Sequence, residues 1–382
     1  MVFDAHSDIW SDVTVRSLRG ETDIFRKYHY ERLRKGNVEG SVFVMWIDPP
    51  YDKEPDKRLL EIMEAVRKEI SNSQDILRIV HDVEEMQEAR KQNIFYAFIG
   101  CEGISGIGED IERIDELFAF GVRHISLTWN EQNAFAGGAR ADVDSGLTDL
   151  GLKALRKIQQ MPILFDVSHL NDKSFWDVMK NTGGPVVATH SNSRRLCNVP
   201  RNLTDEMIKE LAKTGGMIGV NAYPDFIASD RKERNVDMLV EHIGHIADIV
   251  GIEHVGFGFD FCEFLEENAA ASCSMEEDML ASCNMEKESF ASCSMEKDML
   301  ASCSMEKESF ASHSIEEEPG TDVSRTQSIG SVGICGLRDA AEIPNVLRAM
   351  RQAGFSQDDI RKVSYENWHK TIQKIMRKNE KI

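Results

Sequence analysis

Long apolar runs are missing from this chain of 382 residues. None approaches the roughly 18 needed to cross a bilayer as a helix, so a membrane span is not expected. Basic excess is missing too. The formal net charge of −20 repels the phosphates of nucleic acids and anionic lipids, so neither is an expected partner. Part of that charge is local, because 266–318 carries 14 acidic residues against three lysines. The cysteines show no disulfide framework: Cys101, Cys197, Cys262 and Cys335 are scattered through apolar or loop contexts, and the other four sit in a repeat. No basic segment followed by an apolar one precedes His6, so a reduced, cytoplasmic setting is the expectation. Without an export signal the sequon at Asn202-Leu203-Thr204 carries no meaning. A Gly-x-Ser-x-Gly elbow is absent and no cysteine stands beside a strand-end histidine, which argues against a side-chain nucleophile.

What the chain does have is alternation. Short apolar stretches fall near 3–8, 40–47, 95–103, 124–129, 162–169, 185–190, 217–223 and 254–260. Between and after them lie helical patterns at 56–71, 74–91, 109–120, 147–160, 172–181, 204–214, 236–250, 337–354 and 356–378, the last with Ser356 as N-cap. The unbroken apolar character of the third, fifth and sixth stretches suits parallel strands buried on both faces. Eight strands in this rhythm predict an α/β fold, a (β/α)8 TIM barrel. The predicted organisation is a single catalytic barrel from 1–264 and 331–382, interrupted after strand eight by an acidic low-complexity insert at 265–330. A doubly wound open sheet is the alternative. It would expect a glycine-rich phosphate turn, and Gly103-Ile104-Ser105-Gly106-Ile107-Gly108 is a poor match for one.

The strand ends carry the chemistry. His6 and Asp8 stand two apart on an extended strand and so project to the same side. Glu102 ends strand three, His169 strand five, His190 strand six and Asp260 strand eight. Each alone has an ordinary reading, as a satisfied core histidine, a helix cap or the partner of an arginine. A barrel, however, brings all its C-terminal strand ends to one mouth, where active sites sit. Two histidine–carboxylate pairs sharing a bridging carboxylate suit two divalent cations, and the strand order suggests Glu102 as the bridge. Zinc fits the nitrogen and oxygen donors best; manganese, cobalt and iron also accept them. Water held between two such ions loses a proton near neutrality. Asp260 is left over to take that proton and hand it to a leaving amine. The predicted chemistry is hydrolysis of an amide or ester carbonyl.

Taken in order, Asp4-Ala5-His6-Ser7-Asp8, Ile99-Gly100-Cys101-Glu102-Gly103, Phe165-Asp166-Val167-Ser168-His169, Ala188-Thr189-His190-Ser191-Asn192-Ser193 and Gly256-Phe257-Gly258-Phe259-Asp260-Phe261 resemble the membrane (renal) dipeptidase family, over roughly 2–264 and 333–376. The resemblance implies a zinc-dependent dipeptidase with an amidohydrolase-like barrel, acting through a hydroxide that bridges two metals. It implies His6, Asp8 and Glu102 on one zinc, Glu102, His169 and His190 on the other, and Asp260 as acid/base. It also implies Arg201, in Pro200-Arg201-Asn202, as the group that takes the dipeptide's carboxylate, and Tyr223 as a pocket residue. The second residue of the substrate is expected to tolerate the D configuration. The expected partner is this small molecule, with a homodimer as the candidate assembly. One departure concerns specificity: mammalian members have a substrate-contacting histidine where this chain reads Leu127-Thr128-Trp129-Asn130, as bacterial relatives do. Asn130 or a zinc then becomes the candidate oxyanion stabiliser, and Trp129 is expected to pack rather than to touch substrate. The alternatives are a metal-dependent amidase or lactonase, and a non-catalytic barrel scaffold presenting the insert.

From Ala271 a ten-residue unit recurs, placing Cys273, Cys283, Cys293 and Cys303 in one phase, with His313 in the cysteine's place in a partial fifth copy. Ten residues turn an α-helix by about 1000°, roughly 80° short of three turns, so the cysteines spiral and share no face. An acidic, poorly ordered tandem repeat is expected rather than a metal array.

Overall fold

The computed structural model describes residues 1–264 and 333–377; the ten-residue repeat lies outside them. Its centre is β1 (Val2–Ser7), buried at every residue. β1 pairs in parallel with β2 (Val38–Trp46), and β2 with β4 (Phe95–Glu102). β5 (Val122–Ser126), β6 (Leu164–Asp166), β7 (Ile218–Val220) and β8 (Val255–Phe257) complete the order β6-β5-β4-β2-β1-β8-β7. The two ends of this curled sheet are joined through the chain around Val187, which bridges Asp166 on one side while Ala188 bridges Ile218 on the other. Val187 N–H donates to Phe165 O at 3.0 Å and Ala188 N–H to Met217 O at 2.9 Å. The result is the closed, all-parallel barrel that the strand count predicts.

The expected sixth strand therefore occupies its place without forming a regular ladder. The reason lies in competing side chains: Thr189 N–H donates to Asp166 Oδ1 at 3.1 Å and His190 N–H to Ser168 Oγ at 3.3 Å. A second correction concerns 74–91, expected as one helix. Leu77–Ile79 is instead a short strand, β3, paired with Phe95–Ala97 of β4 before β5 takes over that edge at Ile99. The helix begins at Val83, because Asp82 is its N-cap and accepts from Glu85 N–H. The helix expected over 356–378 starts with the predicted Ser356 cap, in a reciprocal capping box with Asp359, but passes through a wide turn at Lys362–Glu366 before Asn367–Arg377.

Helix Asn367–Arg377 closes the N-terminal end of the barrel. Trp368 is fully buried, donates from Nε1 to Phe257 O at 3.0 Å, and lies where a Cβ on Gly256 would come within 2.2 Å of that nitrogen. Only glycine at 256 admits the indole. Apolar side chains on the outer face of the strands pack under the helices, among them Phe43, Phe95, Ile125 and Phe165. Among the described residues no helix is long and apolar enough to cross a membrane.

Candidate metal centre and catalytic cavity

At the C-terminal mouth, β1 supplies His6 with Asp8 just beyond it, and β4 ends on Glu102. His169 and Asp260 each follow their strands by three residues. Both have left-handed backbones, with φ of 70° and 59°. For residues other than glycine this costs about 1–2 kcal/mol, and it explains why β6 and β8 stop short of the predicted ends. The chain leaves the ladder in order to aim these side chains inward.

The five candidate ligands and Asp260 meet. Glu102 Oε1 lies 2.7 Å from His169 Nε2, 3.3 Å from His190 Nε2 and 3.5 Å from His6 Nε2. His6 Nε2 is 3.7 Å from both Asp8 Oδ2 and Asp260 Oδ1. His6, Glu102 and His190 each offer one ligand atom within 4.8 Å of the others, as do His6, Asp8 and Asp260.

The hydrogen bonds behind the histidines fix where their protons sit. Asn130 Oδ1 lies 2.9 Å from His169 Nδ1 and, being an oxygen without a proton, accepts from it. Thr189 Oγ1 donates to Asp166 and so must accept from His190 Nδ1, 2.8 Å away. Burial holds both imidazoles well below their usual range, with Arg201 adding to the effect at His169 and His6 at His190. Burial thus favours the neutral form of both rings, and their Nε2 atoms face each other at 2.7 Å and face Glu102. Lone pairs converging this closely repel, whereas a divalent cation turns the same arrangement into ligation. Buried His6 Nδ1 and Nε2, Asp8 Oδ1 and Glu102 Oε1 make no hydrogen bond. Burial works against a charge on His6, yet Glu102, Asp8 and Asp260 outweigh it and push the imidazole up to about 10. Burial likewise raises Glu102 well above the carboxylate range. Both shifts mark a centre that draws in positive charge, and its donor set fits hard-to-borderline divalent ions.

Behind this set lies a network that the sequence did not expose. Burial alone would raise Asp166, but His124 Nε2 at 2.9 Å, Thr189 Oγ1 and two backbone N–H groups hold it down at about 2. Asn221 Nδ2 donates to Asp260 Oδ2 at 2.9 Å and fixes that carboxylate. Arg201, 4% exposed, brings Nη2 to 3.1 Å from His169 Nε2. Tyr223 lines the cavity. Asn130 spends its carboxamide oxygen on His169, a contact the sequence did not reveal, whereas the donor that an oxyanion needs is its Nδ2. Trp129 packs on Trp46 with ring centroids 5.0 Å apart, as expected of a packing residue, but it also forms part of the cavity wall.

The family model for membrane dipeptidase (peptidase family M19) matches residues 1–271. An uncharacterized protein in the pqqA 5′ region of Klebsiella pneumoniae is 31% identical over 217 residues, which are 54% of this chain and 80% of that protein. Among solved structures, dipeptidase AC, a metallopeptidase of family M19, superposes with a TM-score of 0.73 at 20% identity, covering 97% of each chain. A metallopeptidase from Rhodobacter sphaeroides, liganded with a phosphinate mimic of the dipeptide L-Ala-D-Ala, gives 0.72 at 20% identity over 97% of this chain and 98% of that one. At that identity the superpositions establish a common fold. With the family match across most of its length, the chain belongs to the membrane dipeptidase family, peptidase family M19.

Proposed function

We propose that the protein is a binuclear metal-dependent dipeptidase, with zinc as the ion best suited to the donors. The observation that supports this most directly is the position of Glu102 Oε1, within 3.5 Å of the Nε2 atoms of His6, His169 and His190. His6, Asp8 and Glu102 would hold one ion, and Glu102, His169 and His190 the other. When bound, such ions polarise the scissile carbonyl and lower the pKa of the attacking water. Asp260, held through Oδ2 by Asn221, keeps Oδ1 toward the centre, where it takes a proton from the attacking water and returns it to the leaving amine. Arg201 presents a planar fork suited to the free carboxylate of the substrate's second residue. Its buried position beside His169 sets the carboxylate one residue from the scissile bond, which favours dipeptides over longer chains. The L-Ala-D-Ala mimic on the Rhodobacter sphaeroides structure supports acceptance of a D-residue at that position.

The test is metal analysis of protein purified without chelator, together with release of free amino acids from L,L and L,D dipeptides. Two ions per chain are expected. Glu102→Ala should lose ions and reduce kcat/KM by about a thousandfold. Ion-loaded protein that turns over N-acyl amino acids or lactones but no dipeptide overturns the reading.

A further inference from the structure

The cavity wall beyond the acidic and histidine centre is uniform in character. Apart from Asp8, Glu102, His169 and Asp260, its lining is Trp46, Trp129, Tyr223, Phe226, Cys262 and Phe264, none charged near neutral pH. These residues form two arcs on opposite sides of the mouth. Trp46 ends β2 and Trp129 follows β5, while Tyr223, Phe226 and Phe264 follow β7 and β8. Arg201 belongs to the second arc: its Cζ lies 5.3 Å over the Phe226 ring, and the Tyr223 ring centroid is 4.9 Å from that of Phe226.

The inference rests on the dipeptidase reading, in which Arg201 grips the terminal carboxylate. The α-carbon of that residue is one bond from the carboxylate, so its side chain leaves within reach of the Phe226 ring over which Arg201 lies, and of Tyr223 beside it. We propose that the enzyme selects dipeptides whose C-terminal residue bears an aromatic or large aliphatic side chain, seated against Phe226 and Tyr223. A charged side chain there would be desolvated against these rings, because Arg201 is taken up by the terminal carboxylate and Asp260 by Asn221 and the centre. A methyl group would leave the aromatic wall uncovered, forgoing the burial that separates good from poor substrates.

The experiment measures kcat/KM of ion-loaded protein for Ala-Phe, Ala-Leu, Ala-Ala, Ala-Glu and Ala-Lys, each with the second residue L and D. In the better configuration, Ala-Phe and Ala-Leu should exceed Ala-Ala by about tenfold, and the charged pair by more. Phe226→Ala should bring the Ala-Phe to Ala-Ala ratio toward one, and Phe226→Leu, which keeps an apolar support under Arg201, should lower it partway. A ratio is unaffected by lost ions or a smaller folded fraction. Inhibition by the free product should follow the same order, phenylalanine above glutamate. Equal or faster turnover of Ala-Glu, or a ratio unmoved by Phe226→Ala, overturns the inference and leaves the dipeptidase standing. Failure to cleave any dipeptide overturns the underlying reading and this inference with it.

Discussion

At the N-terminal end of the barrel, His369 Nε2 lies 2.8 Å from Tyr96 Oη and 3.2 Å from Glu39 Oε1, and Arg90 Nε donates to Glu39 Oε2 at 3.0 Å. At the C-terminal end, histidines and carboxylates meet again, but three imidazoles surround one carboxylate oxygen, with Arg201 reaching only His169 from the side. Residue types do not separate the two ends. What separates them is the company each group keeps: arginine and tyrosine complete the lower cluster, and the upper one is complete only with an ion. The lower end is built for closure and the upper for chemistry, and changes at the two ends should have different consequences.

The largest expected effect is at the lower end. Trp368→Ala removes a fully buried indole and its hydrogen bond to Phe257 O, beneath all the strand ends that bear ligands. The expected cost is about 3–5 kcal/mol of unfolding free energy, read from urea denaturation. Ion content per folded chain should stay at the wild-type value. A variant that keeps its stability and loses its ions would break the division between the two ends.

A smaller effect sharpens the comparison by placing a titrating group between scaffold and mouth. His242, on the helix Val236–Val250, donates from Nε2 to Ile227 O at 2.9 Å and accepts at Nδ1 from Ser193 N–H at 3.1 Å, so its neutral form is fully used. Burial lowers it to about 4, opposed by the bond to Ile227 O. The folded value lies below the unfolded value of about 6.5, so this contribution is complete above pH 6.5 and is lost as pH falls toward 4. The loss reaches about 3 kcal/mol. His242→Gln, which can keep one donor and one acceptor without titrating, should flatten the stability–pH curve over that window relative to the wild type. Equal slopes would place the acid sensitivity elsewhere.

How much of this was legible before folding depends on the distance over which each signal acts. Strands and caps are local: the apolar runs, and Ser356 as an N-cap, act within a few residues. The convergence of the candidate ligands was legible because the barrel maps strand ends to one face, so position along each strand sufficed. The short β3 was not, since Leu77, Ile79, Val80 and Val83 read equally well as one side of a helix and only the exposed edge of β4 decides between them. Nor were the supports: His124 finds Asp166 across 42 residues and Asn221 finds Asp260 across 39, and no spacing rule links residues that meet only through tertiary structure. The contact of Asn130 Oδ1 with His169 Nδ1 was hidden too, because it appears only when β5 and β6 lie side by side.

The finest distinction between scaffold and centre falls within a single hydroxyl. Thr189 Oγ1 donates to Asp166 and accepts from His190 Nδ1, so it passes the fixed negative charge of Asp166 to a ring that faces Glu102. Thr189→Val keeps the shape and removes this link. Asp166 would still accept from His124 Nε2 and from the N–H groups of Ser168 and residue 189, so it stays ionised and buried in good order. The stability cost should therefore be modest, about 1 kcal/mol for one buried hydrogen bond. The His190 ring, by contrast, loses the acceptor that fixes its tautomer. Ion affinity should fall by about 10–100-fold, measured by competition with a calibrated chelator, and Thr189→Ser should restore it. Unchanged affinity with lowered stability would mean that Thr189 serves the barrel wall alone, and that the centre at the mouth orients its histidines without help from the layer beneath.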